Sequence, residues 1–283
     1  MLNFEQTLKE LVAMAIKEDI GDGDHSSLSC IPADARGKAV LKIKEDGVIA
    51  GVSVAEKIFS WYDSSSVFTP LKKDGDVMTA GEDAFTVEGL SQTILKLERL
   101  VLNILQRMSG ITTLTRQYVN ALEGCATKVL DTRKTTPNFR LLEKEAVRIG
   151  GGHNHRMGLY DMIMLKDNHI DYAGSLEKAI EKAWLYAQNV KPGLKIEVET
   201  RTLDDVKRVV ATGKVNRVMF DNFSIGQIVE AMKITAGKVE TEASGGINLK
   251  NIREYAETGV DYVSVGALIH QARSVDLSLK AER

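Results

Sequence analysis

The chain has 283 residues, 43% of them hydrophobic and 27% charged, with 37 basic against 39 acidic side chains and a net charge of −2. That balance excludes a broad positive face for nucleic acid or membrane lipid, so any anion it binds is held locally. No segment approaches the roughly 18 apolar residues that cross a bilayer, and two cysteines without metal-like spacing exclude a disulfide framework.

The length exceeds what one hydrophobic core usually serves, so two domains, or one barrel with an addition, are expected. Leu8, Leu11, Val12, Ala15 and Ile16 recur at helical spacing and predict an amphipathic first helix. The segment from Leu2 to Ile20 mixes charges among its apolar residues, unlike a signal peptide, and the expected compartment is the cytoplasm. The acidic, Gly-punctuated stretch from Glu18 to Asp24 reads as a solvated helix exit or as a cation loop. Residues 38–50 and 82–88 alternate like half-buried strands, with a turn at Lys73-Asp74-Gly75-Asp76-Val77 between them. Cys30 and Cys125 are expected as small core residues.

A long helix is predicted over about 91–121, with Ile94, Leu97, Val101, Ile104, Leu105 and Met108 joined by Leu95, Leu100 and Leu102. A helix apolar nearly all round is buried or shared with a partner subunit. Arg99 inside it should therefore meet a carboxylate, Glu98 or another acid, because an unpaired buried guanidinium is costly.

The second half changes rhythm. Apolar, β-branched runs at 127–133, 161–167, 195–200, 216–222, 238–244 and 261–266 alternate with amphipathic helical segments. The strand ends Glu199, Asp221, Ser244 and Gly266 recur about every 22 residues, the pitch of a parallel (β/α) barrel or a doubly wound sheet.

Polar residues gather at the C-terminal ends of these strands. Asp131, Arg133 and Lys134 follow one, Lys166 and Asp167 another; Glu197 and Glu199 share one face of a third. Asp221, Glu242, Ser244-Gly245-Gly246, Ser264 and Gly266 close the rest. Buried parallel strands should be continuous apolar runs, and a barrel keeps its active site at this rim. Arg133, Lys134, His155, Arg156 and Lys166 supply cations suited to carboxylates and phosphates. Glu199 and Asp221 form an oxygen pair of the kind that faces Mg²⁺ on a substrate diphosphate. The glycines after the last two strands offer unhindered N–H groups to a phosphate.

The motifs DTRKTTP (131–137), GGGHNHRMGLYD (150–161), LKDNH (165–169), IEVET (196–200), FDNF (220–223), EASGGI (242–247) and SVGAL (264–268) resemble the quinolinate phosphoribosyltransferase family. EDIGDGD (18–24) and ERLVLNILQRMSGI (98–111) match its N-terminal region, so the resemblance covers essentially the whole chain. It implies an α/β fold: an incomplete (β/α) barrel over 113–270, with an N-terminal α+β open-sandwich domain over 1–112 that the C-terminal tail 271–283 joins. It implies joining quinolinate to 5-phosphoribosyl 1-pyrophosphate (PRPP), giving nicotinate mononucleotide, pyrophosphate and CO2 in NAD synthesis. By motif position Arg133, His155, Arg156 and Lys166 hold quinolinate, and Lys134 lies between the substrates. Glu199 and Asp221 face the ribose and its diphosphate, while Ser244, Gly245, Gly246 and Gly266 receive the 5′-phosphate. Mg²⁺ is implied mainly through PRPP, with no firm protein ligand. A homodimer, or a higher oligomer built on it, would bring Arg99 into the neighbouring subunit's site.

The chain departs from the family at Ile269-His270-Gln271, where Thr-His-Ser is more usual, and by one residue added between Glu199 and Asp221. The second departure leaves open whether Glu197 or Glu199 faces the ribose. Other readings stand beside this one: a relative linked to molybdate uptake, a class I aldolase-like barrel with Lys166 as Schiff-base nucleophile among cationic neighbours, and a nucleotide sensor without turnover. His153 and His155 form an H-x-H pair without an obvious third zinc ligand, and His169 is read as a loop cap.

Overall fold

Hydrophobic periodicity becomes structure along the whole chain in a computed structural model that describes residues 3–282. Leu2 and Arg283, which bound two of the predicted segments, lie outside the described residues. In chain order the elements are α1 (Phe4–Ile20), α2 (His25–Cys30), β1 (Arg36–Ile43), β2 (Gly47–Val48), α3 (Val52–Tyr62), β3 (Val67–Pro70), β4 (Val77–Met78), β5 (Asp83–Leu90) and α4 (Ser91–Ala121). They continue with β6 (Lys128–Leu130), α5 (Arg140–Ile149), β7 (Ile163–Leu165), α6 (Asp167–Ala173), α7 (Leu176–Asn189), β8 (Ile196–Thr200), α8 (Leu203–Thr212), β9 (Arg217–Asp221) and α9 (Ile225–Thr235). The last are β10 (Glu240–Ser244), α10 (Ile252–Glu257), β11 (Tyr262–Ser264), α11 (Ala267–His270) and β12 (Leu277–Glu282).

Two units form. The first gathers the residues up to Arg116, 135–151 and those from Leu268 onward; the second holds 117–134 and 152–267. In the first, an antiparallel sheet runs β12-β1-β5-β3, so the C-terminal tail supplies an edge strand beside β1. Phe59, Phe68 and Phe85 cluster in its core, with the Phe68 and Phe85 rings 4.5 Å apart. The predicted turn at 73–77 caps α3: the Asp74 carboxylate accepts from the Gly51 and Val52 amides at 2.7 and 2.8 Å. The acidic stretch likewise ends as a cap, since Asp24 accepts from the Ser27 amide at 3.2 Å to start α2.

α5 groups with this unit rather than with the barrel segment that contains it in sequence. Its wholly buried Glu143 accepts from Arg107 of α4 at 2.8 and 2.9 Å, and Thr112 donates to Ala146 O at 2.9 Å. Arg107 also donates to the Ala272 and Ile269 carbonyls, which ties the tail to α4. Gly110 is required where the tail crosses, because a Cβ there would lie 1.9 Å from Arg273 O.

Two expectations fail here. Cys30 is exposed and Cys125 half-buried, because the first ends a short surface helix and the second follows the turn after α4. Arg99 is exposed and makes no ion pair with Glu98 or another acid among the described residues. Leu95, one turn earlier on the same stripe, is also exposed, while Leu97, Val101, Ile104 and Leu105 fill the core. The helix therefore keeps one uncovered stripe.

In the second unit six parallel strands run β6-β11-β10-β9-β8-β7. β7 to β11 follow in chain order and β11 then pairs with β6, which is barrel connectivity with its open seam between β6 and β7. Capping fixes the outer helices: Ser175 starts α7, and capping boxes Thr202/Asp205 and Ser224/Gln227 start α8 and α9. The polar strand ends of the sequence accordingly lie together on the C-terminal rim.

Candidate active site

β6 ends in the core, and its next residue is Asp131, wholly buried. Its carboxylate accepts from the His155 amide at 2.9 Å and from Asn154 Nδ2 at 2.6 Å. Leu130 and His153 form a parallel bridge beside it. The DTRK and HNHR motifs, some twenty residues apart in sequence, are thereby laced side by side. Arg133 and Arg156 come close enough for their charges to interact: burial first, then Arg133, holds the Arg156 guanidinium below its usual pKa. The Arg133 Nε is buried with no hydrogen-bond partner among the described residues. Arg156 donates to Met162 O at 3.4 Å, and the two adjacent guanidinium groups make a cradle for a planar anion.

Lys166, at the end of β7, pairs with the Glu199 carboxylate at the end of β8. Its partner is thus an anion rather than the cationic neighbours that the aldolase reading requires. His169 Nδ1 accepts from the Lys166 amide at 3.1 Å, so it caps the loop as the sequence indicated. Lys134 is exposed just beyond Arg133.

Asp221 ends β9 in register with Ser244 of β10. Gly245 and Gly246 follow with φ of +100° and +65°, a left-handed run of the kind that lines anion-binding loops with backbone N–H groups. Asn222, itself at φ +58°, donates from its amide to Ser244 O at 2.8 Å and from Nδ2 to Asp221 at 2.9 Å. Gly266 lies between β11 and α11 at the same rim. Ser244, Gly245, Gly246, Gly266, Asp221 and the Lys166–Glu199 pair all belong to the second unit with Arg133, His155 and Arg156, whereas Arg99 belongs to the first.

Below the rim lies a charged cluster that the sequence only partly indicated. The His155 Nε2 is 3.0 Å from Glu197 and 3.4 Å from Glu242, both carboxylates having no exposed surface. Arg217 donates to Glu242 at 3.0 Å and to Glu240 at 3.1 Å, with its guanidinium 4.0 Å from the Tyr262 ring centre. Burial disfavours a charge on the His155 ring, while the facing carboxylates of Glu197 and Glu242 favour a proton on Nε2. Burial and the nearby Glu242 raise the Glu197 carboxyl above its usual range, which favours a proton held between it and His155. The Arg156 amide lies 2.7 Å from Nδ1, which makes Nδ1 an acceptor and places the proton on the Nε2–carboxylate side. Glu242, which burial alone would raise, is pulled down by His155 and Arg217. His155 therefore gathers two acids, and the exposed His153 takes no part, unlike the H-x-H pairing weighed from sequence. Asn154 and Arg217 escaped the sequence reading; a lone arginine opening the buried run RVMF was the available signal.

The chain matches the family described as quinolinate phosphoribosyl transferase, N-terminal domain, over residues 24–109 and its C-terminal domain over 111–280. It is 40% identical over 290 residues to a chloroplastic nicotinate-nucleotide pyrophosphorylase (carboxylating) of Oryza sativa subsp. japonica, covering 97% of this chain and 78% of that protein. It is 42% identical over 272 residues to a probable nicotinate-nucleotide pyrophosphorylase (carboxylating) of Bacillus subtilis (strain 168), covering 96% and 92%. NadC from Streptococcus pyogenes shares its structure with a TM-score of 0.91 at 41% identity, covering 100% of this chain and 99% of that one. Motif order, barrel connectivity and two domain matches spanning nearly its full length agree: this chain belongs to the quinolinate phosphoribosyl transferase family.

Proposed function

We infer that this chain converts quinolinate and PRPP to nicotinate mononucleotide, pyrophosphate and CO2, the step that supplies the pyridine nucleotide for NAD. The observation that carries the reading is the Arg133–Arg156 cradle, two neighbouring guanidinium groups with a buried, unpartnered Nε. A dicarboxylate answers that charge with paired hydrogen bonds. His155 and Lys166 complete the quinolinate clamp, and Lys134 stands between the substrates. Ser244, Gly245, Gly246 and Gly266 take the 5′-phosphate of PRPP.

Departure of pyrophosphate leaves positive charge on the ribose, and the fixed carboxylates of Glu199 and Asp221 stabilise it. The pyridine nitrogen is a weak nucleophile, so much of the gain comes from holding both reactants in line. Once ribosylated, that nitrogen is an electron sink for loss of the neighbouring carboxylate as CO2, and the ring carbon left with the bonding pair takes a proton from water. Asp221, half-buried at the rim and accepting from Asn222, is suited to face Mg²⁺ carried on the diphosphate, with Glu199 beside it. When bound, Mg²⁺ neutralises charge on the leaving diphosphate.

No helix among the described residues is long and apolar enough to cross a membrane. We place the reaction in the cytoplasm and the active enzyme in a homodimer, or an oligomer built on it. The exposed Leu95–Arg99 stripe supports a subunit contact that delivers Arg99 to the neighbouring site. The direct assay is formation of nicotinate mononucleotide and CO2 from quinolinate, PRPP and Mg²⁺. Absence of both products would overturn the reading, and PRPP binding without turnover would make the chain a sensor. Mixed Arg99→Ala and Arg133→Ala dimers should regain part of the activity that each lacks. No recovery means the sites are not shared.

A further inference from the structure

A barrel interior is ordinarily filled by layers of branched apolar side chains. Here one layer is ionic. Glu197 from β8 and Glu242 from β10 project inward with no exposed surface, separated in the sheet by β9, whose Arg217 reaches Glu242 at 3.0 Å. The His155 side chain, 5% exposed, places Nε2 3.0 Å from Glu197 and 3.4 Å from Glu242. Its Nδ1 meets the Arg156 amide at 2.7 Å, and its own amide donates to Asp131 at 2.9 Å. The charged groups facing the imidazole are therefore Glu197, Glu242, Asp131 and, behind Glu242, Arg217. Two buried carboxylates without compensation are unfavourable, so such a layer holds only if each partner stays in place.

We propose that Glu197 and Glu242 are positioning residues for the substrate clamp: they fix the His155 imidazole from inside the barrel and, through Nδ1, the backbone of Arg156, while Arg217 offsets their charge. This rests on the reading of His155 and Arg156 as part of the quinolinate clamp. A small cation is the competing occupant, because the ligand atoms of His155, Glu197 and Glu242 lie within 4.8 Å of one another. Charge already in place favours the ionic layer: Nε2 stands 3.0 Å from a Glu197 oxygen, and the Arg217 guanidinium covers Glu242 at 3.0 Å.

The test separates the substrates. Glu197→Gln and Glu242→Gln should each raise KM for quinolinate by roughly tenfold while KM for PRPP stays within about twofold, because only the clamp is misaligned. Glu197→Asp should recover part of the loss. Unchanged KM for quinolinate in well-folded variants, or equal changes for both substrates, overturns the proposal. Should the variants fail to fold, ¹⁵N spectra of the wild-type histidines still decide it. One buried ring with an acceptor Nδ1 and a proton retained on Nε2 through neutral pH is expected; five rings that all titrate like free imidazole exclude it. A Zn²⁺ or Mn²⁺ dependent rise in melting temperature, lost in Glu197→Gln, also overturns it in favour of a metal site. Wild type that makes nicotinate mononucleotide beside variants that behave normally refutes this inference alone; inactive wild type refutes the functional reading beneath it.

Discussion

Gly245→Ala isolates the proposed phosphate loop. At φ +100° an L-residue is strained by about 1–2 kcal/mol. The new Cβ would lie 2.2 Å from Asn222 Oδ1, 2.6 Å from its Cγ and 3.0 Å from its backbone N. An amide side chain can rotate, but the backbone nitrogen is held by its 2.8 Å bond to Ser244 O, so part of the clash persists, an overpacking of roughly 1–3 kcal/mol. Relief requires the Asn222 and Gly245 segments to separate, which moves the Gly245-Gly246 backbone and drags on Asp221, the acceptor of Asn222 Nδ2. The sum of about 2–5 kcal/mol, felt at the donor subsite, predicts a loss of about 30-fold or more in kcat/KM for PRPP. Gly246→Ala is the internal control: its φ is +65° and a Cβ there meets nothing within 4 Å, so about 1 kcal/mol and a loss below about tenfold are expected. Steady-state kinetics varying each substrate, with a thermal melt of each variant, measure the contrast. Equal effects of the two substitutions, or a defect confined to quinolinate, refute the assignment of this loop to the phosphate.

Two further outcomes follow from the described contacts. Arg133→Ala and Arg156→Ala should each lower quinolinate-dependent CO2 release by about 10- to 150-fold at a normal melting temperature, since each lost charge-assisted bond is worth about 1.5–3 kcal/mol; near-wild-type turnover in both counts against the clamp. Arg107→Ala leaves the wholly buried Glu143 carboxylate uncompensated and should lower unfolding free energy by about 3–5 kcal/mol in denaturant titrations, with Arg107→Ala/Glu143→Leu recovering much of it.

Much of the fold was legible because periodicity and punctuation are local. The β-branched runs and the roughly 22-residue pitch each reflect neighbours close along the chain. The rim was legible for the same reason: charge at the end of an apolar strand marks itself in one dimension, which brought out Arg133, Lys166, Glu199 and Asp221. What three dimensions decided was partnership. Sequence left Glu197 and Glu199 equivalent on one strand face; the barrel buries Glu197 on His155 and leaves Glu199 with Lys166 at the rim. It grouped α5 with the first unit through Glu143 and Arg107, and it left Arg99 exposed although its helix reads as apolar nearly all round. Asp131, which reads as one more strand-end charge, is the buried acceptor that binds two distant motifs together. Burial and pairing depend on which faces meet across the barrel, and no local rule along the chain contains that.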